Sequence, residues 1–568
     1  MLRLYGELIT QWSLVKKLQT MWKKIKKKLR VKKYSLIEII FIIFSFLFSF
    51  WLMFSTFSYK AGSMLIASKA WSDFASSIPL IRSFSFGSNF PPQYPLFPGE
   101  PIHYHFLFFL LVGLLERIGF RIDYALNFPS AIGFFFLLFM IYIFAKSLFK
   151  SKAVGVLSVV FFLFNGSLSF LEFFKIHPIS TNIFNEIFVN TTYPSFGPYD
   201  GKIVSAFWNL NIYTNQRHLA GSFAMVIFII YLLYIRWRES AAWFKKSIFI
   251  ACLCGILLFI NEAAFSIALL WIGWFFLLNP RRRLGLLFGI VIGSPIILLF
   301  IFIVHLSSSI TIRLGYLTMP PATIYSIFIY WFYNFGLLIL LLPLGFLIVK
   351  KKVAVHIIPL IILFSVANIF QLSKDIINNH KFFNFFIIVG NMYAANFLFV
   401  LWNKNKRFVI SRKIIVIILF FFMIFSGVID LAVIKNDSKI GVIDYPKNRD
   451  ITFILKRTKP EDIVLNYTSL YHPASLAGRS IFYGYSYFAW SYGYDTANRE
   501  AIYLQIYRSN NKEVACSLLK KNKISYIELN NTPDEYIKPN LDLWENEFTR
   551  IYQNEESKFS LYDVKKSC

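Results

Sequence analysis

The sequence predicts an α-helical polytopic membrane protein of about 11 spans, followed by a C-terminal extracytoplasmic α/β domain. Three observations predict it. Of the 568 residues, 57% are hydrophobic and 19% aromatic, only 16% are charged, and the mean hydropathy is +0.55, a balance foreign to water-soluble globular chains. Apolar runs long enough to cross about 30 Å of hydrocarbon recur between Ser35 and Ile434. Lys and Arg gather in short clusters beside those runs, so the formal net charge of +29 reflects membrane insertion and speaks against a nucleic-acid partner.

Residues 1–34 read as a cytoplasmic basic amphipathic segment. Met1–Lys33 carries eleven Lys or Arg against Glu7 alone, with Trp12, Leu14, Leu18 and Trp22 at nearly helical spacing. A helix on anionic lipid fits this pattern; a solvated basic tail is the plainer alternative. It is neither a signal nor a transit peptide, because no small-residue cleavage site follows and the next apolar run is long.

Residues 35–434 form the transmembrane domain. Ser35–Phe57 is the first span, with its N-terminus held inside by the basic block, and a first outer loop covers residues 58–125. Residues 103–119 are apolar, but making them a span would turn Lys146, Lys150 and Lys152 outward; they are expected as an outer juxtamembrane helix instead. Leu126–Phe149 is then the second span. It is followed by Ala153–Leu171, Leu219–Ile235, Ser247–Ile260, Ala264–Leu278, Leu284–Val304, Ile324–Val349, Val353–Phe370, Phe385–Trp402 and Ile414–Ile434. This register places Arg281-Arg282-Arg283 and Lys350-Lys351-Lys352 inside. Asn261-Glu262 interrupts a short hairpin at its outer tip, a break tolerated where backbone is buried in protein or lines a polar cavity.

From Lys435 the composition becomes that of a soluble domain, 435–568, on the outer side. Asp462–Asn466, Ser480–Tyr483 and Ile524–Leu529 read as strands, and Glu513–Lys521 as a helix. The four cysteines match no metal spacing; a Cys516–Cys568 bond is conceivable, yet two unrelated thiols are expected.

Sorting polar residues by expected face gathers the chemistry outside. Asp73, just after the first span, is the expected catalytic base: a carboxylate near the membrane plane can accept the proton of an attacking hydroxyl or amine. A helix-capping or solvated acid is the structural alternative. Arg217 and His218, and again His380 and Lys381, stand at the outer starts of spans, where a bidentate guanidinium, imidazoles and an ammonium suit a lipid phosphate. Interfacial anchoring would explain them equally. Glu262 is a second acid or a satisfier of freed backbone groups. Glu100, His103 and His105 stand where they could line the site. His103 and His105 would share one face of a strand but not of a helix, so the spacing supports no metal ligand set.

The layout resembles the polytopic GT-C glycosyltransferases, the class of protein O-mannosyltransferases and aminoarabinose transferases. Asp73 matches their first-loop acid, and Pro91-Pro92-Gln93-Tyr94-Pro95 with Pro101-Ile102-His103-Tyr104 resembles their proline- and tyrosine-rich segment before the juxtamembrane helix. Phe74 stands where a second acid usually follows the first. The stretches Ala477–Tyr485, with Arg479, and Trp490-Ser-Tyr-Gly493-Tyr look like the outer domain of an uncharacterised prokaryotic membrane family rich in tyrosines. They suit either an acceptor glycan, by stacking and hydrogen bonding, or docking of this domain on the outer loops.

The resemblance implies a cell-membrane glycosyltransferase of the inverting kind that takes a sugar from a polyprenyl-phosphate donor. The acceptor would be a glycan, lipid or protein outside the cytoplasm. No cofactor is required by the sequence, and a divalent metal is left open. A lipid-linked oligosaccharide flippase is the alternative, disfavoured because the spans hold few charges and show no repeated halves. An envelope glycan polymerase or ligase would use similar substrates.

Overall fold

The structure, a computed structural model, describes residues 35–194, 203–236, 243–304, 310–404, 409–530 and 537–568. The basic segment 1–34 lies outside the described residues. The chain divides into two units, Met1–Leu47 and Phe48–Cys568; what is described of the first is chiefly the N-terminal part of the helix Leu36–Thr56.

Inside a bilayer the backbone must satisfy its own hydrogen bonds, so apolar runs become helices. Among the described residues eight helices are long and apolar enough to cross: Leu36–Thr56, Ile122–Phe149, Leu219–Arg236, Trp243–Ile260, Pro280–Ile303, Lys351–Ile369, Ile376–Asn403 and Val409–Asn436. Ile324–Phe335 and Leu338–Leu347, bent by 93°, make a ninth if they count as one span. The bend falls at Gly336, whose φ of +54° and close approach to the Gly166 carbonyl leave no room for a side chain.

The expectation of 11 spans is corrected at two places. The helix expected from Ala153 stops at Leu163 after 12 residues, and the one over Ala264–Leu278 has 17. At 1.5 Å per residue, about 18 Å and 25 Å, neither matches the hydrocarbon thickness. The first ends because Asn165 leaves the helix to donate its amide to Asp430 at 2.7 Å, and the second is bounded by the Asn261 cap on Ala264. The expected juxtamembrane helix is Leu107–Arg117, too short to span.

The membrane part is tied to the C-terminal part through strands. Phe57–Lys60 and Ser63–Ala67 form a hairpin, and Lys439–Ile443, just after the last long helix, pairs antiparallel with Ser63–Ala67. A five-stranded sheet follows in the order Ser480–Ile481, Ile463–Leu465, Ile524–Asn530, Phe559–Asp563, Thr549–Asn554, parallel for the first three and antiparallel for the rest.

One apolar core runs from the first loop into this sheet, joining Ile78, Ile81, Phe84, Tyr94 and Val112 to Ile454, Leu465, Tyr503 and Trp544. Within it Arg82, 2% exposed, pairs with Asp444 at 2.6 Å and Glu116 at 3.3 Å, while Ser85 donates to Glu116.

The expectation of two separate thiols is overturned. Cys516 and Cys568 form a disulfide, because the helices Lys512–Lys521 and Val564–Ser567 pack together and bring their Cα atoms to 5.5 Å.

Candidate active site

A cavity of about 1010 Å³ opens where the helix Trp71–Ser85, the starts of the helices Leu219–Arg236, Glu262–Leu278 and Ile376–Asn403, and the C-terminal part meet. Asp73, Glu262 and Lys381 lie on its wall, with His105, His218 and His380 beside them.

Asp73 sits in the first turn of the helix Trp71–Ser85, where a negative charge suits the helix dipole. It is not the cap: that position is Ala70, which makes no side-chain cap. The turn before it is pinned from two sides. Asp437 accepts from the Ser68 hydroxyl at 2.6 Å and the Lys69 amide at 3.0 Å, and Asn215 donates to the Lys69 carbonyl at 3.0 Å. Tyr471 packs against Trp71 with ring centroids 4.4 Å apart, the rings tilted by 51°, and donates to its carbonyl at 2.7 Å. Burial raises the Asp73 carboxyl to about 6, against an opposing hydrogen bond from Asn215 and the Lys381 charge.

Glu262 begins the helix Glu262–Leu278, and burial raises it to about 7, again opposed by Lys381. Lys381 therefore acts on both acids, yet among the described residues no contact ion pair joins it to either. His105 and His218 meet at 2.9 Å between their Nε2 atoms, and His105 Nδ1 lies 3.9 Å from Glu262. Both imidazoles are held neutral, chiefly by burial and further by Lys381. His380 is fixed between the side-chain amides of Gln216 and Asn384, at 3.1 Å and 3.2 Å.

Of the other expected site residues, Arg217 and His103 also line the cavity, whereas Glu100, Arg479 and Trp490 do not. The Arg217 guanidinium points into a buried nest, donating to Thr56 at 2.9 Å and Asn127 at 3.2 Å and lying over the Phe74 ring. Arg479 is buried and bonds Thr458 and the carbonyls of Ala477 and Phe86, holding the C-terminal part to the first loop. His103 stacks parallel on Tyr494 at 4.0 Å. This splits the His103–His105 pair, because the helix begins only at Leu107. Glu100 is not on the cavity wall; its charge acts on Arg499 and Tyr494. Trp490 packs beside the cavity-lining Tyr487, with ring centroids 6.0 Å apart.

Asn215 and Tyr487 were not singled out from the sequence. Asn215 directly precedes Gln216-Arg217-His218, so position alone could have flagged it. Tyr487, which donates to Asp375 at 2.6 Å across 112 residues, gave no local signal. Among the described residues no three His, Cys, Asp or Glu side chains converge closely enough to hold a metal ion.

No protein-family model matches the chain, and no curated protein matches it by sequence. Solved structures do share its fold. ArnT from Cupriavidus metallidurans in the apo state aligns with a TM-score of 0.50 at 10% identity, over 93% of this chain and 97% of that one. The Archaeoglobus fulgidus oligosaccharyltransferase complexed with zinc and sulfate gives 0.47 at 12% identity, over 86% and 67%. The chain has the fold of the GT-C membrane glycosyltransferases.

Proposed function

We propose that the protein transfers a sugar from a polyprenyl-phosphate donor to an acceptor on the extracytoplasmic side of the cell membrane. The observation that carries this reading is the pairing, in one cavity, of a carboxyl poised near neutrality with an ammonium that, among the described residues, makes no contact ion pair. Asp73, at about 6, is mostly ionised at pH 7 yet basic enough to take a proton, the compromise that general-base catalysis favours. Lys381 lines the same cavity at the outer end of a spanning helix, where a lipid phosphate would arrive along the apolar flank.

In the proposed step Asp73 accepts the proton of the acceptor hydroxyl as its oxygen bonds to the sugar's anomeric carbon. The bond from that carbon to the phosphate oxygen breaks, and the polyprenyl phosphate leaves with the electron pair. Lys381 neutralises the departing charge, with neutral His218 available as a donor through Nδ1. Attack opposite the leaving group inverts the anomeric centre. The fold shared with ArnT supports this reading.

The test compares lipid-linked sugars and envelope glycans by mass spectrometry in cells with the protein, without it, and with Asp73→Asn. Accumulation of a lipid-linked sugar with loss of one glycan modification is expected in the latter two. Identical profiles in all three would remove the enzymatic reading.

A further inference from the structure

We propose that the acceptor is a saccharide, seated on an aromatic ledge made by Tyr485, Tyr487 and Trp490. This rests on the transfer reading above.

The stretch Tyr485–Tyr494 holds six aromatic residues in ten. Its short helix, Ser486–Ser491, divides them. Phe488 and Tyr494 turn into the core, and Tyr492 stacks on Tyr104 with centroids 4.2 Å apart. Tyr485, Tyr487 and Trp490 stay open, at 52%, 40% and 37% exposure. Three large rings left in water on one short segment mark a recognition surface rather than core packing.

Their position says for what. Tyr485 and Tyr487 belong to the wall of the cavity that holds Asp73, so a molecule lying on the ledge reaches the base. Tyr487 is oriented by its bond to Asp375, and Trp490 lies beside it tilted by 31°, a preorganised pair of π faces with polar edges. Between ledge and base the wall offers neutral hydrogen-bonding groups, Ser72, Ser76, Asn215 and Ser491. Apolar ring faces framed by hydroxyls and amides match a pyranose, whose C–H face is apolar and whose rim carries hydroxyls. A lipid acceptor would call for the apolar flank of the spanning helices, whereas the ledge belongs to the α/β part. A peptide added as a strand would call for an unpaired strand edge, and the ledge is helical; other peptide modes are decided by the peptide arm of the titration below.

The full chain in nanodiscs is titrated calorimetrically, without donor, with mannohexaose, cellohexaose and a β-galactohexaose, and with a Ser/Thr-rich peptide. At least one hexasaccharide should bind and the peptide should not. Tyr485→Ala and Trp490→Ala should each weaken that binding about tenfold, and Trp490→Phe should restore most of it. Peptide binding sensitive to these variants, binding of none of the saccharides, or saccharide binding unmoved by either alanine would overturn the proposal. Donor consumption is measured separately. A protein that consumes lipid-linked sugar but binds no saccharide keeps the transfer reading and loses the ledge. One that binds saccharide on the ledge but consumes no donor loses the transfer reading instead.

Discussion

Two buried charge clusters are built in opposite ways. Around Arg82 every charge touches an opposite one: Asp444 at 2.6 Å, Glu116 at 3.3 Å, and Ser85 closing on Glu116. Around Asp73 the charges face each other across a cavity; Lys381 acts on Asp73 and Glu262 without contact, and the nearest acid–imidazole approach is 3.9 Å. A paired cluster has spent its electrostatics on holding chain segments together. A spaced one keeps it available for a ligand, which is why shifted carboxyls collect there.

The sharpest way to break this contrast is to remove one partner from the paired cluster. Arg82→Ala strands two buried carboxylates and should cost about 3–5 kcal/mol of stability, read as a collapse of the thermal transition in detergent. If the variant stays as stable as the native chain, the cluster is not a joint.

Next comes Asp73→Asn, expected to lower kcat about 10³-fold. Its effect on stability should have the opposite sign. The folded carboxyl sits near 6, above its ordinary 3.8, so ionisation between those values favours the unfolded chain, and the neutral amide removes that cost. A variant both inactive and unfolded would put Asp73 in the structural class with Arg82.

Lys381→Gln should raise the donor KM about 30-fold, since the ammonium is a point charge for the phosphate and neutral groups remain beside it. An unchanged KM with a lowered melting temperature would make Lys381 a structural charge.

The smallest effect is the pH profile. The basic form of Asp73 is depleted as pH falls through about 6, so kcat/KM should drop about tenfold per pH unit below that point. A break near the ordinary value of 3.8 would mean the carboxyl is solvated in the working protein.

Much of the fold was legible in the sequence because it follows from local chemistry. Hydropathy placed nine of the expected spans and the short outer helix, and alternation found three strands of the five-stranded sheet. The remaining two, Thr549–Asn554 and Phe559–Asp563, are half polar and carry little pattern of their own. The two helices that came out shorter than expected end beside side-chain contacts that the local pattern does not show: just past the first, Asn165 bonds Asp430, 265 residues away.

The site divides along the same line. Asp73, Lys381, Glu262 and the imidazoles were visible as polar residues at the outer ends of apolar runs, since insertion sorts such residues by face. The direction of each side chain was not visible. Arg217 and Lys381 look alike in sequence, yet the guanidinium is consumed by Thr56 and Asn127 while the ammonium faces the acids. By itself the sequence determined that this is a polytopic membrane protein with its acids and imidazoles gathered on one face, because hydropathy and charge act residue by residue. Only the tertiary structure decided which charges pair, which stay apart and which aromatic rings look into the cavity. Those outcomes depend on contacts between segments hundreds of residues apart, and no local pattern encodes them.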